Sequence, residues 1–544
     1  MKTHSLISLA LLSLVLTACG GGSGGSGETK TNPVVTNTQT STQTATETVT
    51  STQTETETET DTDSDTATET ETELKIEHLS GGETSTPDNT ADAFSERSFN
   101  MTDVQRIAQF ELGDDFFQNP WVAGSASTSS RDGLGGLFNN NACQDCHIRD
   151  GRGHAPSGLM TDGDEDFASI LFRAARSNIS EDEKVQMLNS LLANVEDSSV
   201  GAQLQQEAIA QVMPEVELGI EYETKTVTFA DGYQVELRDP IWHLTSTRAA
   251  QGYDFDADTV FSARVAPPMI GLGLLALISE QTILANQDIN DTDNDGISGK
   301  ANYVWSVKDQ AIALGRFGWK ASQPSLIEQS AAAFVNDMGL TNKFHQQESC
   351  LAHQTDCINA PNGNGDSVND YDYEVSDIIL DAVGFYSAHL SVPQRKNAYD
   401  DDVQRGKALF MQAGCQHCHT PSYVTEYSDE HPELSEQTIF PYTDLLLHDM
   451  GEDLADFTQD NQPASSDMLY EFLATATEWR TPPLWGIGRA KTVDPEASFL
   501  HDGRARTIME AVLWHGGEAQ AAKQAVLQFN AEQRSDFNAF LNDL

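Results

Sequence analysis

Positive charge is scarce in this chain: 31 Lys and Arg stand against 84 Asp and Glu, for a formal net charge of −53. So acidic a protein repels nucleic acid and anionic lipid and attracts basic partners. The same excess also suits a salt-tolerant, highly soluble protein. Long apolar runs are missing as well. Beyond the first twenty residues the longest is Met269–Ile278, the size of a core helix and too short for a bilayer. Cysteine is rare too, at 7 in 544 residues, yet the spacing of each one assigns it a task.

The N-terminus reads as an export signal over residues 1–18. Lys2 supplies the charge, Leu6 to Leu16 the apolar stretch, and Leu16, Thr17, Ala18 and Cys19 a lipobox. Cys19 is then the lipidation site; the rival is an ordinary secretory signal with an incidental cysteine. Gly20, not aspartate, follows it, which favours anchoring in the outer membrane of a Gram-negative envelope. Residues 19–95 read as a disordered acidic tether rich in Thr and Glu, with too little apolar surface to fold.

Four cysteines form two C-x-x-C-H motifs, Cys143, Cys146, His147 and Cys415, Cys418, His419. Two thiols three positions apart match the vinyl groups of haem, and the next residue places an imidazole under the iron. A redox dithiol does not need a histidine in the same place twice, and zinc requires the two pairs to converge. Cys350 and Cys357 remain. In an oxidising compartment they suit a disulfide, although His353 between them leaves a metal site open.

The surroundings of each motif are repeated. Val403 to Cys415 reads as a short amphipathic helix with Gly406 and Phe410 on one face, and Gly133 to Cys143 as a looser version of it. Closing helices are expected over 375–390 and 531–544, so that glycine permits close crossing of paired helices. The expected fold is therefore mainly α, with two cytochrome c-like haem domains. One spans 96–395 and carries a long mixed α/β insertion at about 155–370; the other spans 396–544. Within the insertion, Glu181 to Leu192 reads as helix, and Lys225–Phe229 and Tyr233–Leu237 as a hairpin turned at Ala230, Asp231 and Gly232. Asp291, Asp293 and Asp295 before Gly296 match the first half of a calcium loop, but the twelfth position is Asn302; a polar turn is the alternative.

The ligand opposite each proximal histidine decides function, because a closed iron carries electrons and an open one can react. For the second haem the candidates are His448, Met450, His501, Met509 and His515; for the first they are His154, His243 and Met269.

The run from Glu478 to Gly486, followed by Ser498 to Gly517, resembles the C-terminal half of the diheme cytochrome c peroxidase superfamily. It is closest to the branch of diheme oxidoreductases and peroxidase-like proteins, sometimes labelled thiol oxidoreductases. Further similarity lies at Arg264–Gly273, Asp295–Gly299, Gly315–Lys320 and Leu447–Gly451, so the likeness spans nearly all of residues 100–544. It implies that His515 stands where the peroxidases place a methionine, which makes the second haem bis-histidine and lowers its potential. The alternative for His515 is a helix-end histidine bonding a carbonyl.

The resemblance also calls for a distal acid after the Gly271–Leu275 stretch, where Ala276 stands; Glu280, Glu217 or Glu215 would have to replace it. Arg504 and Arg506 could pair with haem propionates or hold their turn, and Trp485 and Trp514 could carry electrons or simply pack. The implied activity is peroxidase-like, with electrons relayed from the C-terminal haem to an N-terminal substrate haem and a basic cytochrome as partner. A non-catalytic electron carrier and an oxidase of protein or thiol substrates are the alternatives.

Overall fold

The structure, a computed structural model, describes residues 76–156 except Ser125 and Ser129, then 169–363 and 373–544. The signal, Cys19 and the tether up to residue 75 lie outside the described residues. The rest of the expected tether is folded. Glu77 forms ion pairs with Arg395 and Lys407, and Thr86 bridges to Pro393, so residues 76–95 belong to the globular body.

The first helix, α1 (Val104–Gln118), is capped by Asp103, whose side chain accepts from the Gln105 and Arg106 amides. Phe110, Gly113 and Phe117 recur along its buried face. They pack on α2 (Asp377–His389), where Gly113 lies so close that an added Cβ would overlap the carbonyl oxygen of Ala382. The same device recurs downstream. Helix α3 (Asp401–Gln412) crosses the last long helix, α5 (Ala531–Asp543), with Gly406 pressed on the Asp536 carbonyl. A short helix, α4 (Ile508–Trp514), packs beside that pair.

The first helix of the first pair is not where the sequence placed it. Residues 132–138 form two short strands, because Gly133 takes a positive φ and Gly135 packs on the backbone of Gly339. Neither arrangement suits a helix.

The insertion supplies strands. Strand β1 (Ile170–Arg176) pairs antiparallel with β4 (Thr259–Val265), which in turn pairs with β5 (Phe457–Thr458) from the C-terminal half. Strands β2 (Val216–Thr228) and β3 (Gln234–Ser246) form a hairpin longer than the one expected. Its tip reaches into the C-terminal core: Phe229 and Leu237 are buried there, and Ala230 N–H donates to the Leu527 carbonyl at 2.9 Å. The helix predicted from Glu181 ends at Leu188.

The expectation of a mainly α protein is thereby corrected. The described residues are 30% helical and 20% strand, a mixed α/β fold with many small sheets. Longer strands of the insertion account for most of the difference; two- and three-residue strands built from loops add to it and leave no periodicity to read. Cys350 and Cys357 form a disulfide. Among the described residues, no helix is long and apolar enough to cross a membrane.

Candidate haem sites

His419 follows a tight turn that begins at Gly414, whose φ is 87°. Its Nδ1 donates to the Tyr442 carbonyl at 2.9 Å, and burial pulls its pKa down to about 4. The ring is therefore neutral, with a bare lone pair on Nε2. His515, just past the end of α4, is arranged the same way: Nδ1 meets the Ala511 carbonyl at 2.8 Å, and burial lowers its pKa. Both rings line one cavity of about 290 Å³, and the field of His515 is felt at His419.

Phe410, Leu484, Val526, Phe537 and Leu541 give this cavity apolar walls, and Cys415 and Cys418 stand on its lining. None of the four motif cysteines is in a disulfide, and burial pushes Cys143, Cys146 and Cys415 up to about 12, which keeps them as thiols. Among the described residues, no metal-competent cluster joins the two pairs. Thiols beside a neutral imidazole in an apolar slot fit a haem and do not fit zinc or a nucleophilic thiolate.

The other ligand candidates sort by their partners. His448 is held at Nε2 by Asp444 (2.8 Å) and at Nδ1 by Glu518 (2.6 Å), and these carboxylates raise its pKa despite burial. With both nitrogens donating, it has no lone pair for a metal. Met450 lines the cavity, whereas Met509 packs in the surrounding core. His501 also lines it. Its Nδ1 donates to the Ala263 carbonyl at 3.1 Å, it stacks on Trp479 at 3.7 Å, and its Nε2 has no partner among the described residues.

The first motif repeats the proximal geometry. His147 Nδ1 lies 2.8 Å from the Pro267 carbonyl, burial lowers its pKa to about 4, and Phe117 packs 6.0 Å from its ring. Of the possible sixth ligands, His154 is engaged by Asp494 at 3.1 Å and His243 is exposed beside Glu221. Met269 packs against the same core as Cys143.

The expected distal acids are not brought to this motif as buried carboxyls. Glu280 opens a short helix (Glu280–Ala285) and Glu217 lies on β2, both facing solvent. Glu215 is buried but bound by the Gln205 amide and the Gln354 side chain. Sequence reasoning missed Asp337, a half-buried residue whose carboxyl is raised by desolvation and whose field reaches both Cys143 and Cys146. It also missed Asp150, which accepts from Ser95 and Tyr386 and is raised by burial to about 7.

Arg504, expected at a propionate, is instead paired with Asp502 at 2.7 Å and Asp239 at 3.3 Å, while Arg506 pairs with Glu510 at 3.1 Å. Both hold their turn. The cations that do line the cavity are Arg152, Arg480 and Lys523. Trp485 and Trp514 are buried in separate cores. Asp291, Asp293 and Asp295 bring carboxylate oxygens within 4.8 Å of one another, but Asn302 is buried with its amide on the Lys320 carbonyl and takes no part.

Among solved structures, the chain is similar to Kuenenia stuttgartiensis hydrazine synthase pressurised with xenon, at 19% identity, with a TM-score of 0.22. That similarity covers 32% of this chain and 57% of the other, so it spans little more than half of that structure's length. No curated protein matches the chain. Two motifs with matching proximal geometry and one cavity built around paired imidazoles are what a two-haem protein requires. The match over residues 75–544 agrees with that geometry: the chain belongs to the family described as "Di-haem oxidoreductase, putative peroxidase".

Proposed function

We propose that the protein is a c-type diheme oxidoreductase of peroxidase-like chemistry. In this reading His419 and His515 would hold one haem, which would supply electron relay, and His147 would hold the other, which would supply the chemistry on the substrate. The observation that carries the reading is the shared cavity of His419 and His515, each with Nδ1 bound to a backbone carbonyl and Nε2 left as a lone pair. When bound, haem supplies an iron that changes oxidation state; a pair of imidazoles closes that iron to small molecules. The Pro267 carbonyl would orient His147 toward the other haem, and Asp337, whose carboxyl is raised by desolvation, would hold a proton near Cys143 and Cys146.

The ferric spectrum tests this. One low-spin haem and one high-spin haem that shifts with added peroxide or cyanide are expected. His515→Ala should abolish the low-spin signal, and His501→Ala should spare it. Loss in His501→Ala alone would move the ligand assignment. A second reading, an electron carrier with both irons six-coordinate, draws on Met269, which packs against the same core as Cys143. Two low-spin haems indifferent to peroxide would establish it and end the catalytic one.

The same reading carries three further expectations. Covalent attachment predicts a mass gain of two haems that survives acid–acetone extraction. Calcium at Asp291, Asp293 and Asp295 predicts a Tm that rises with millimolar calcium; a flat response removes the ion. Envelope anchoring through Cys19, with a basic redox partner, predicts palmitate labelling lost in Cys19→Ala and partner binding that weakens with salt.

A further inference from the structure

Two buried guanidinium groups line the cavity around His419 and His515 without a carboxylate in ion-pair reach among the described residues: Arg152 and Arg480. They are only 8% and 7% exposed. Arg152 gives one Nη2 hydrogen bond to the Leu500 carbonyl at 3.2 Å, its Nε has no partner among the described residues, and aromatic rings flank it at 5.2 and 6.0 Å. Arg480 donates to the carbonyls of Gly318 at 2.8 Å and Thr481 at 3.4 Å.

Other arginines buried to the same degree are treated differently. Arg264 faces Glu471 at 2.8 Å, Arg248 faces Asp356 at 2.9 Å, and Arg395 faces Glu77 at 2.7 Å. Among the described residues Arg316 also has no carboxylate in ion-pair reach, but it donates to the Leu275 and Ile278 carbonyls, away from the cavity. The carboxylates nearby are already engaged: Asp444, whose field reaches Arg480, and Glu518 by His448, and Asp295 by His417. Burying a cation without an ion-paired counter-charge is unfavourable, and two of them on one cavity wall suit an anionic ligand.

We infer that Arg152 and Arg480 bind the propionates of the haem seated on His419. This rests on the haem reading above. It takes the role expected of Arg504 and gives it to residues from two distant parts of the chain. Arg152 follows His147 by five positions, so the loop that holds the first haem also supplies positive charge to the second. The same side chain lines a smaller cavity with Pro268 and Trp485, next to the Pro267 carbonyl that orients His147. One guanidinium thus lines the cavity of the second motif while lying five positions from the histidine of the first, where it would couple the charge of one to the potential of the other.

Redox potentiometry of the purified diheme protein tests the assignment. Removing a positive charge beside a haem favours the ferric state. Arg152→Gln and Arg480→Gln should each weaken reduction of the low-spin haem at least tenfold, 59 mV for one electron. Arg504→Gln, whose charge is already matched by Asp502 and Asp239, should shift it less. The potential of the two Gln variants should also gain a pH slope as the released propionate titrates. Arg152→Lys, which keeps charge but loses the fork, should recover most of the potential; if a Gln variant does not fold, this variant and its pH profile carry the test. Potentials and pH profiles equal to wild type, in variants that retain two haems by mass, overturn the assignment. A wild-type mass lacking two haems, or no low-spin haem dependent on His515, defeats the underlying reading instead.

Discussion

Burial raises the Glu215 carboxyl to about 8, although the Gln205 amide and the Gln354 side chain both donate to it. The folded chain therefore holds a proton that the unfolded chain releases near 4.5. Between those two values the folded state binds more protons, so stability falls as pH rises through the window and levels off above about 8. At about 1.4 kcal/mol per pH unit, the window is worth roughly 3–5 kcal/mol. Glu215→Gln should remove this slope: its Tm, compared with wild type, should gain steadily from pH 5 to pH 8. Parallel Tm profiles would show that Glu215 opens to water instead. At this scale the sequence reading was sharpest where the residues are contiguous, as in Cys415, Cys418 and His419, which line one cavity. It failed for Arg504, because Asp239, which neutralises it, lies 265 positions away. His448 could not be discounted either until Asp444 and Glu518 were seen on its two nitrogens.

Paired helices around each haem motif depend on one glycine apiece. Gly406 faces the Asp536 carbonyl and Gly113 the Ala382 carbonyl, with no room for a methyl group at either. Alanine at either position must push the helices apart, an overpacking cost of about 1–3 kcal/mol. Thermal unfolding should show both losses, and the low-spin spectrum should change only in Gly406→Ala; two unchanged Tm values would mean that the crossings are loose. The second pair was readable because its amphipathic helix leads directly into the motif. The first was not, since residues 119–142 separate α1 from Cys143 and the glycines there build strands.

Across the whole molecule the two halves are interleaved. Strand β5 joins the insertion's sheet through Phe457 and Phe261, and the hairpin tip buries Phe229 in the C-terminal core under Arg534. One cooperative unfolding transition is therefore expected for residues 76–544, with both haem spectra lost together. Phe229→Ala should lower it by roughly 3–5 kcal/mol, the cost of emptying an aromatic site in a core. Two separate transitions in the wild type would contradict the interlock.

The sequence by itself determined which residues are the candidates for cofactor attachment, because the C-x-x-C-H spacing is a local pattern that no distant contact can supply. Helix faces and the hairpin turn were likewise written in local periodicity. Only the tertiary structure decided the balance of helix and strand, the partners of Arg504 and His448, and the two unmatched arginines in the cavity. Burial and charge compensation are properties of neighbours in space, and these neighbours are brought together from parts of the chain hundreds of residues apart.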